Sequence, residues 1–105
     1  KGEDMREAVL KMREYIVHTT VADYVKLDRY VYEHKLTNFL ERDSVVRAVA
    51  AGEGFIDYES FLGALKEIGY QGYIAYEMCE VLEGGGEVEN LDKTAKKFLE
   101  YVKKL

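Results

Sequence analysis

The 105-residue chain has one cysteine, no proline and two histidines. A lone thiol, Cys79, cannot close an internal disulfide, so a reducing, cytoplasmic setting is expected. Without proline or a linker-like stretch nothing marks a domain boundary, and the length suits one small domain. No apolar run approaches the ~18 residues of a membrane span, so no membrane partner is expected. Positive charge is also scarce: 15 Lys and Arg stand against 20 Asp and Glu, for a net charge of −5. That balance disfavours nucleic acid, which needs a basic face. The one dense basic cluster is Lys93, Lys96, Lys97, Lys103 and Lys104. It falls on a helical stretch whose other side is apolar, and so reads as a solvated face. The opening "KGEDMREAVL" has no signal-peptide pattern and no initiator Met, which suggests a mid-chain start.

What is present alternates between helical and extended patterns. Residues 4–14 predict a helix, with Asp4 and Glu7 in a capping pattern and Met5, Ala8, Val9 and Met12 at helical spacing. "YIVHTTVAD", residues 15–23, is rich in β-branched side chains and predicts a strand. Residues 24–51 are ambiguous; "LDRYVYEHKLTNFLER" predicts a helical turn or two, with Val31, Leu36, Phe39 and Leu40 partly buried. After the turn "GEGFID", Asp57 can cap a helix running to Ile68, with Phe61, Leu62, Leu65 and Ile68 on its apolar side. Gly69 supplies the left-handed residue that stops it. "GYIAYEM", residues 72–78, predicts a second strand. "EGGGE" is a flexible loop, and Asn90 then caps a last helix with Leu91, Ala95, Phe98, Leu99 and Val102 on one face.

Strands alternating with helices imply parallel pairing, with both sheet faces covered. Two strands alone do not make a stable sheet. Their apolar faces require neighbours, either other copies of the chain or other parts of a larger fold.

"GEGFIDYESFLGALKEIGYQGYIAYEMCE" resembles the C-terminal part of the sugar phosphate isomerase/epimerase family, the xylose-isomerase-like TIM barrels. The carriers are Gly52, Glu53, Gly54 and Asp57, then "EIGYQG" at 67–72, then a strand ending in Glu77. "IVHTTVADY" resembles the preceding family strand, which often reads His-x-His-x-x-Asp. The resemblance spans most of the chain and is weakest across 25–50. It implies an α/β fold: a partial (β/α)8 barrel with the last two βα units, the helix before them and parallel strands. A full barrel needs about 250 residues, so the expected companion is a missing N-terminal barrel portion or a homo-oligomer.

The resemblance also implies a chemistry: aldose-ketose isomerisation or epimerisation of a sugar or sugar phosphate through an enediolate. The family uses a divalent metal (Mn, Mg, Co or Zn) bound by residues at the C-terminal ends of strands. Glu77 is implied as the last ligand and as an acid/base; its alternative is a solvated strand end. His18 stands at the first His of the motif, as a ligand or a core histidine. Thr20 stands at the second, where a neutral hydroxyl binds metals far more weakly than imidazole. Asp23 is implied as a partner that orients a ligand residue or as binding a substrate hydroxyl, with a strand-end turn residue as the alternative. Arg47 lies near where some members place a substrate-binding Arg, the alternative being a surface base. His34 reads as surface, and Cys79, with no adjacent base, as structural. The loop "EGGGEVEN" occupies the usual phosphate position of the fold, yet Glu80, Glu83, Glu87 and Glu89 would repel a phosphate ester. The nine tyrosines can stack on sugar rings or pack the core. The isolated chain is expected to be inactive. The rival expectation is a non-catalytic half-barrel module that self-associates through exposed strand edges.

Overall fold

The structure is a computed structural model that describes residues 2–78 and 80–105. The element order is α1 (Met5–Met12), β1 (Thr19–Val21), β2 (Asp23–Glu33), β3 (Asn38–Val49), α2 (Tyr58–Glu67), β4 (Ile74–Tyr76) and α3 (Val88–Lys104). The mixed α/β class and the parallel pairing hold. β1 and β4 run parallel with Thr20 opposite Ala75, and no closed barrel forms among the described residues. Both strands are shorter than their apolar runs suggest.

Local chemistry places the helix ends. Asp4 caps α1 by accepting from the Glu7 N–H at 2.8 Å. Asp57 caps α2 by accepting from the Ser60 N–H at 3.0 Å, and Gly69 ends that helix at φ +70°, a conformation only glycine adopts freely. Asn90 is not the cap of α3. That helix starts two residues earlier, at Val88, and its Glu87 cap makes no side-chain bond. The Asn90 amide instead donates to the carbonyls of Glu83 and Gly85, at 3.0 and 2.6 Å, and holds the glycine loop against the helix.

The core lies on one side of the parallel pair. Val21 is fully buried against Leu62, Ala64 and Leu65 of α2 and Phe98 of α3, and Tyr76 stacks on Phe98 with ring centroids 4.8 Å apart. α1 packs against α2, with Arg6 donating to both oxygens of Glu67 at the surface.

Residues 24–51 hold no helical turn. β2 and β3 form one long antiparallel hairpin, closed by the four residues 34–37. Leu36 and Phe39 are both 63% exposed and Val31 is 42% exposed, so the partial burial expected there is confined to Leu40. Strands of 11 and 12 residues reach about 35 Å at the usual rise. The radius of gyration is therefore 17.3 Å, against roughly 13 Å for a compact domain of this length. No helix among the described residues is long and apolar enough to cross a membrane.

Candidate functional site

Strand alternation divides the parallel pair into two faces. Thr19, Val21, Ile74 and Tyr76 point towards the helices, where Thr19 and Val21 are buried. His18, Thr20, Tyr73 and Glu77 fall on the opposite face and are all exposed, with Ala75 half-buried between them. Within the described residues no helix or strand covers this second face. It is backed by helices on one side and bare on the other.

Glu77 stands at the C-terminal end of β4. Its backbone N–H donates to the Val21 carbonyl at 2.9 Å, which extends the parallel ladder and fixes where the side chain departs. The carboxylate itself makes no hydrogen bond or ion pair among the described residues.

His18 shares the face of Glu77 but not its level. Continuing the register from Thr19 opposite Ile74 sets His18 beside Tyr73, four residues before Glu77, or about 13 Å along the strand. The residue level with Glu77 is Ala22. Thr20 lies between. No group of three or more His, Cys, Asp or Glu side chains comes together to hold a metal among the described residues.

Asp23 is elsewhere, and its bonds fit the turn-residue alternative. It is 1% exposed. Its Oδ2 accepts from the N–H groups of Gly52 and Gly54, both at 2.9 Å, and its Oδ1 from Tyr24 at 2.9 Å and Ile56 at 3.3 Å. Four backbone donors occupy the carboxylate, which shapes the turn leading into α2. Gly54 is required there because a Cβ would overlap the Asp23 carboxylate and the Tyr24 carbonyl. The sequence signal was present: an acid at a strand end followed by Gly-x-Gly in a turn fits a carboxylate bound by turn N–H groups.

Tyr58, which the sequence did not single out, holds Ala22 just past the end of β1. Its hydroxyl donates to the Ala22 carbonyl at 2.7 Å and accepts from the Ala22 N–H at 2.9 Å. Burial pushes its pKa above the usual tyrosine value, and the nearby charge of Asp23 adds to the shift, against the opposing Ala22 bond. Tyr76 and Tyr101 are also raised, first by burial and then by the acids around them.

Arg47 projects from the hairpin root, paired in register with Val25, exposed and without an ion pair among the described residues. It is on the hairpin and not on the bare face of the parallel pair. His34 is in the hairpin turn, edge-on to Tyr32 at 5.0 Å. The lysines of α3 are exposed, and Lys97 pairs with Glu53 at 2.7 Å. Beside them a cleft of about 240 Å³ lies between α3 and the 82–84 segment, with Glu53 and Glu83 among its lining residues. The role given to Cys79 falls outside the described residues.

No family model matches this chain, and no curated protein or solved structure matches it.

Proposed function

We propose that this chain is the C-terminal part of a sugar or sugar-phosphate isomerase/epimerase of the TIM-barrel type, with β1 and β4 as its last two barrel strands. The observation that carries this reading is Glu77: an unpaired carboxylate at the C-terminal end of a parallel strand, on the bare face of a helix-backed pair. A closed barrel has this same layering, with helices outside and strand-end residues at the mouth. The hairpin accounts for the weak resemblance across 25–50, as an insertion between strand and helix.

In this reading Glu77 takes a proton from the carbon beside the substrate carbonyl, and the electron pair moves onto the carbonyl oxygen to give an enediolate. Passing the hydroxyl proton from the second oxygen to the first, and returning the abstracted proton to the neighbouring carbon, interchanges aldose and ketose. The divalent metal implied by the resemblance (Mn, Mg, Co or Zn) is not accommodated by this chain's own residues, because His18 and Glu77 stand too far apart and Thr20 is a weak ligand. Substrate is the partner, with neither nucleic acid nor membrane, and the single cysteine keeps the cytoplasm as the setting.

The test is deuterium exchange at the carbon next to the carbonyl, followed by NMR with a panel of aldoses and ketoses. The isolated chain is expected to give no exchange. A longer polypeptide that completes the barrel is expected to exchange, and to lose exchange in Glu77→Gln. Exchange that persists in Glu77→Gln overturns the role of Glu77.

A second reading has its own observation. Both outer edges of the parallel pair lack a partner strand among the described residues, and such edges recruit other strands. A non-catalytic module that self-associates through them would sediment as an oligomer and show no exchange in any context.

A further inference from the structure

The hairpin of β2 and β3 has no role in the proposed chemistry. Its register and alternation place Val25, Leu27, Val31, Leu40 and Val45 on one face. Arg29, Arg42 and Arg47 stand among these aliphatic side chains on the same face. Arg29 and Arg42 are direct cross-strand partners. Like charges in that position destabilise a sheet. All three arginines are exposed, and none forms an ion pair among the described residues. A two-stranded hairpin holds itself poorly in water, and on this face Val31 and Val45 are 42% and 41% exposed.

The counter-charge is on the same chain. Residues 24–48 carry five Lys and Arg against four Asp and Glu, whereas the rest of the chain carries ten against sixteen. Residues 67–92 carry no Lys or Arg, and within them 80–89 holds Glu80, Glu83, Glu87 and Glu89. This segment runs along the hairpin root. The Ala48 N–H donates to the Val81 carbonyl at 3.2 Å, and the Glu83 N–H donates to the Ala48 carbonyl at 2.9 Å. Arg42 is six residues further out along the strand, about 20 Å away. One copy therefore cannot bring its own arginine pair onto its own acidic loop. Two copies related by a two-fold axis, with their arms antiparallel, bring each arginine pair to the other's root, and both contacts form at once.

We propose that the Arg29–Arg42 face of the hairpin docks on the acidic 80–89 segment of a second copy of this chain, forming a two-fold dimer. The proposal stands apart from the barrel reading: deuterium exchange tests Glu77, and sedimentation tests the arm.

The experiment is sedimentation velocity of the full chain over a range of concentration and salt. A reversible dimer that weakens with salt is expected. R29E/R42E and E83K/E87K each place like charges at both contacts, and each is expected to raise the dissociation constant at least about tenfold. R29Q/R42Q, which removes charge without adding repulsion, is expected to weaken the dimer in the same direction. An equimolar mixture of R29E/R42E and E83K/E87K is expected to dimerise again, because each arm then meets an opposite charge on the other chain. Recovery on mixing also shows that both variants are folded. A parent chain that stays monomeric throughout, a dimer unmoved by R29E/R42E, or a mixture that stays monomeric overturns the proposal. A dimer unmoved by R29E/R42E would point to the strand edges instead.

Discussion

Asp23 Oδ2 accepts a hydrogen bond from the Gly54 N–H at 2.9 Å, and no Cβ fits on Gly54 without overlapping that carboxylate. The contact joins the end of the parallel layer to the turn that launches α2. It also sets the origin of the hairpin, since Asp23 is the first residue of β2.

Asp23→Ala strips the acceptor from four backbone N–H groups, three of them in the turn at 52–56. Leaving these half-buried donors without their acceptor is expected to cost about 2 kcal/mol. Gly54→Ala is expected to cost at least about 2 kcal/mol through overlap with the same carboxylate. Urea denaturation measures both. A loss below about 0.5 kcal/mol in each, the range of an ordinary surface change, would remove Asp23 as the organiser of the turn.

Tyr58→Phe keeps the ring in the core and deletes only the hydroxyl that serves the Ala22 N–H and carbonyl. A destabilisation of about 1–3 kcal/mol is expected, because both Ala22 groups lose their partner. Faster amide exchange at Ala22 in the variant is the local readout. An unchanged Ala22 would mean that water replaces the hydroxyl at no cost.

Tyr58, Tyr76 and Tyr101 all have pKa values above the ordinary 10.0, with burial the first cause. The folded chain thus holds these protons more tightly than the unfolded one. Their contribution to stability is fully present below about pH 10 and is lost as pH rises through the raised values. Tyrosinate absorbance and circular dichroism are expected to show late-titrating groups whose ionisation accompanies alkaline unfolding. Asp57 acts at the other end of the scale. Its bonds from Ser60 hold it below the usual 3.8, so its contribution is present above that value and lost as pH falls through the lowered one.

Glu77→Gln changes an exposed side chain with no partner among the described residues. Its stability is expected to stay within about 0.5 kcal/mol of the parent, while exchange activity in a completed barrel is lost. A large loss of stability would make Glu77 a structural residue.

Thr37 closes the hairpin at φ +49°, a conformation that costs a β-branched residue and that Asn tolerates. Thr37→Asn is expected to stabilise the hairpin, seen as slower amide exchange along Tyr30, Val31 and Leu40. Faster exchange would show that Thr37 makes a compensating interaction.

The helices were legible because their signals are local. Asp4, Asp57 and Gly69 act within one turn of where they stand. Asn90 misled because it sits three residues inside a helix and is engaged by a loop that approaches it from outside. The hairpin was missed for a related reason. Its strands alternate at Val25, Lys26, Leu27 and Asp28 and are rich in β-branched residues at 45–49, but its turn at 34–37, "HKLT", has none of the Gly, Asn, Asp or Pro residues that mark turns. With no such marker, the two alternating runs gave no sign that they face each other.

The sequence by itself determined the three helices, the two strands that pair in parallel and the acidic balance, because periodicity, caps and charge are carried by neighbouring residues. Only the tertiary structure decided what the carboxylates do. Asp23 and Glu77 each end an apolar stretch, but one is closed in by four backbone donors, three of them from a turn about thirty residues away, and the other faces outward with none among the described residues. Whether an acid is saturated or free depends on which distant backbone groups the fold brings to it.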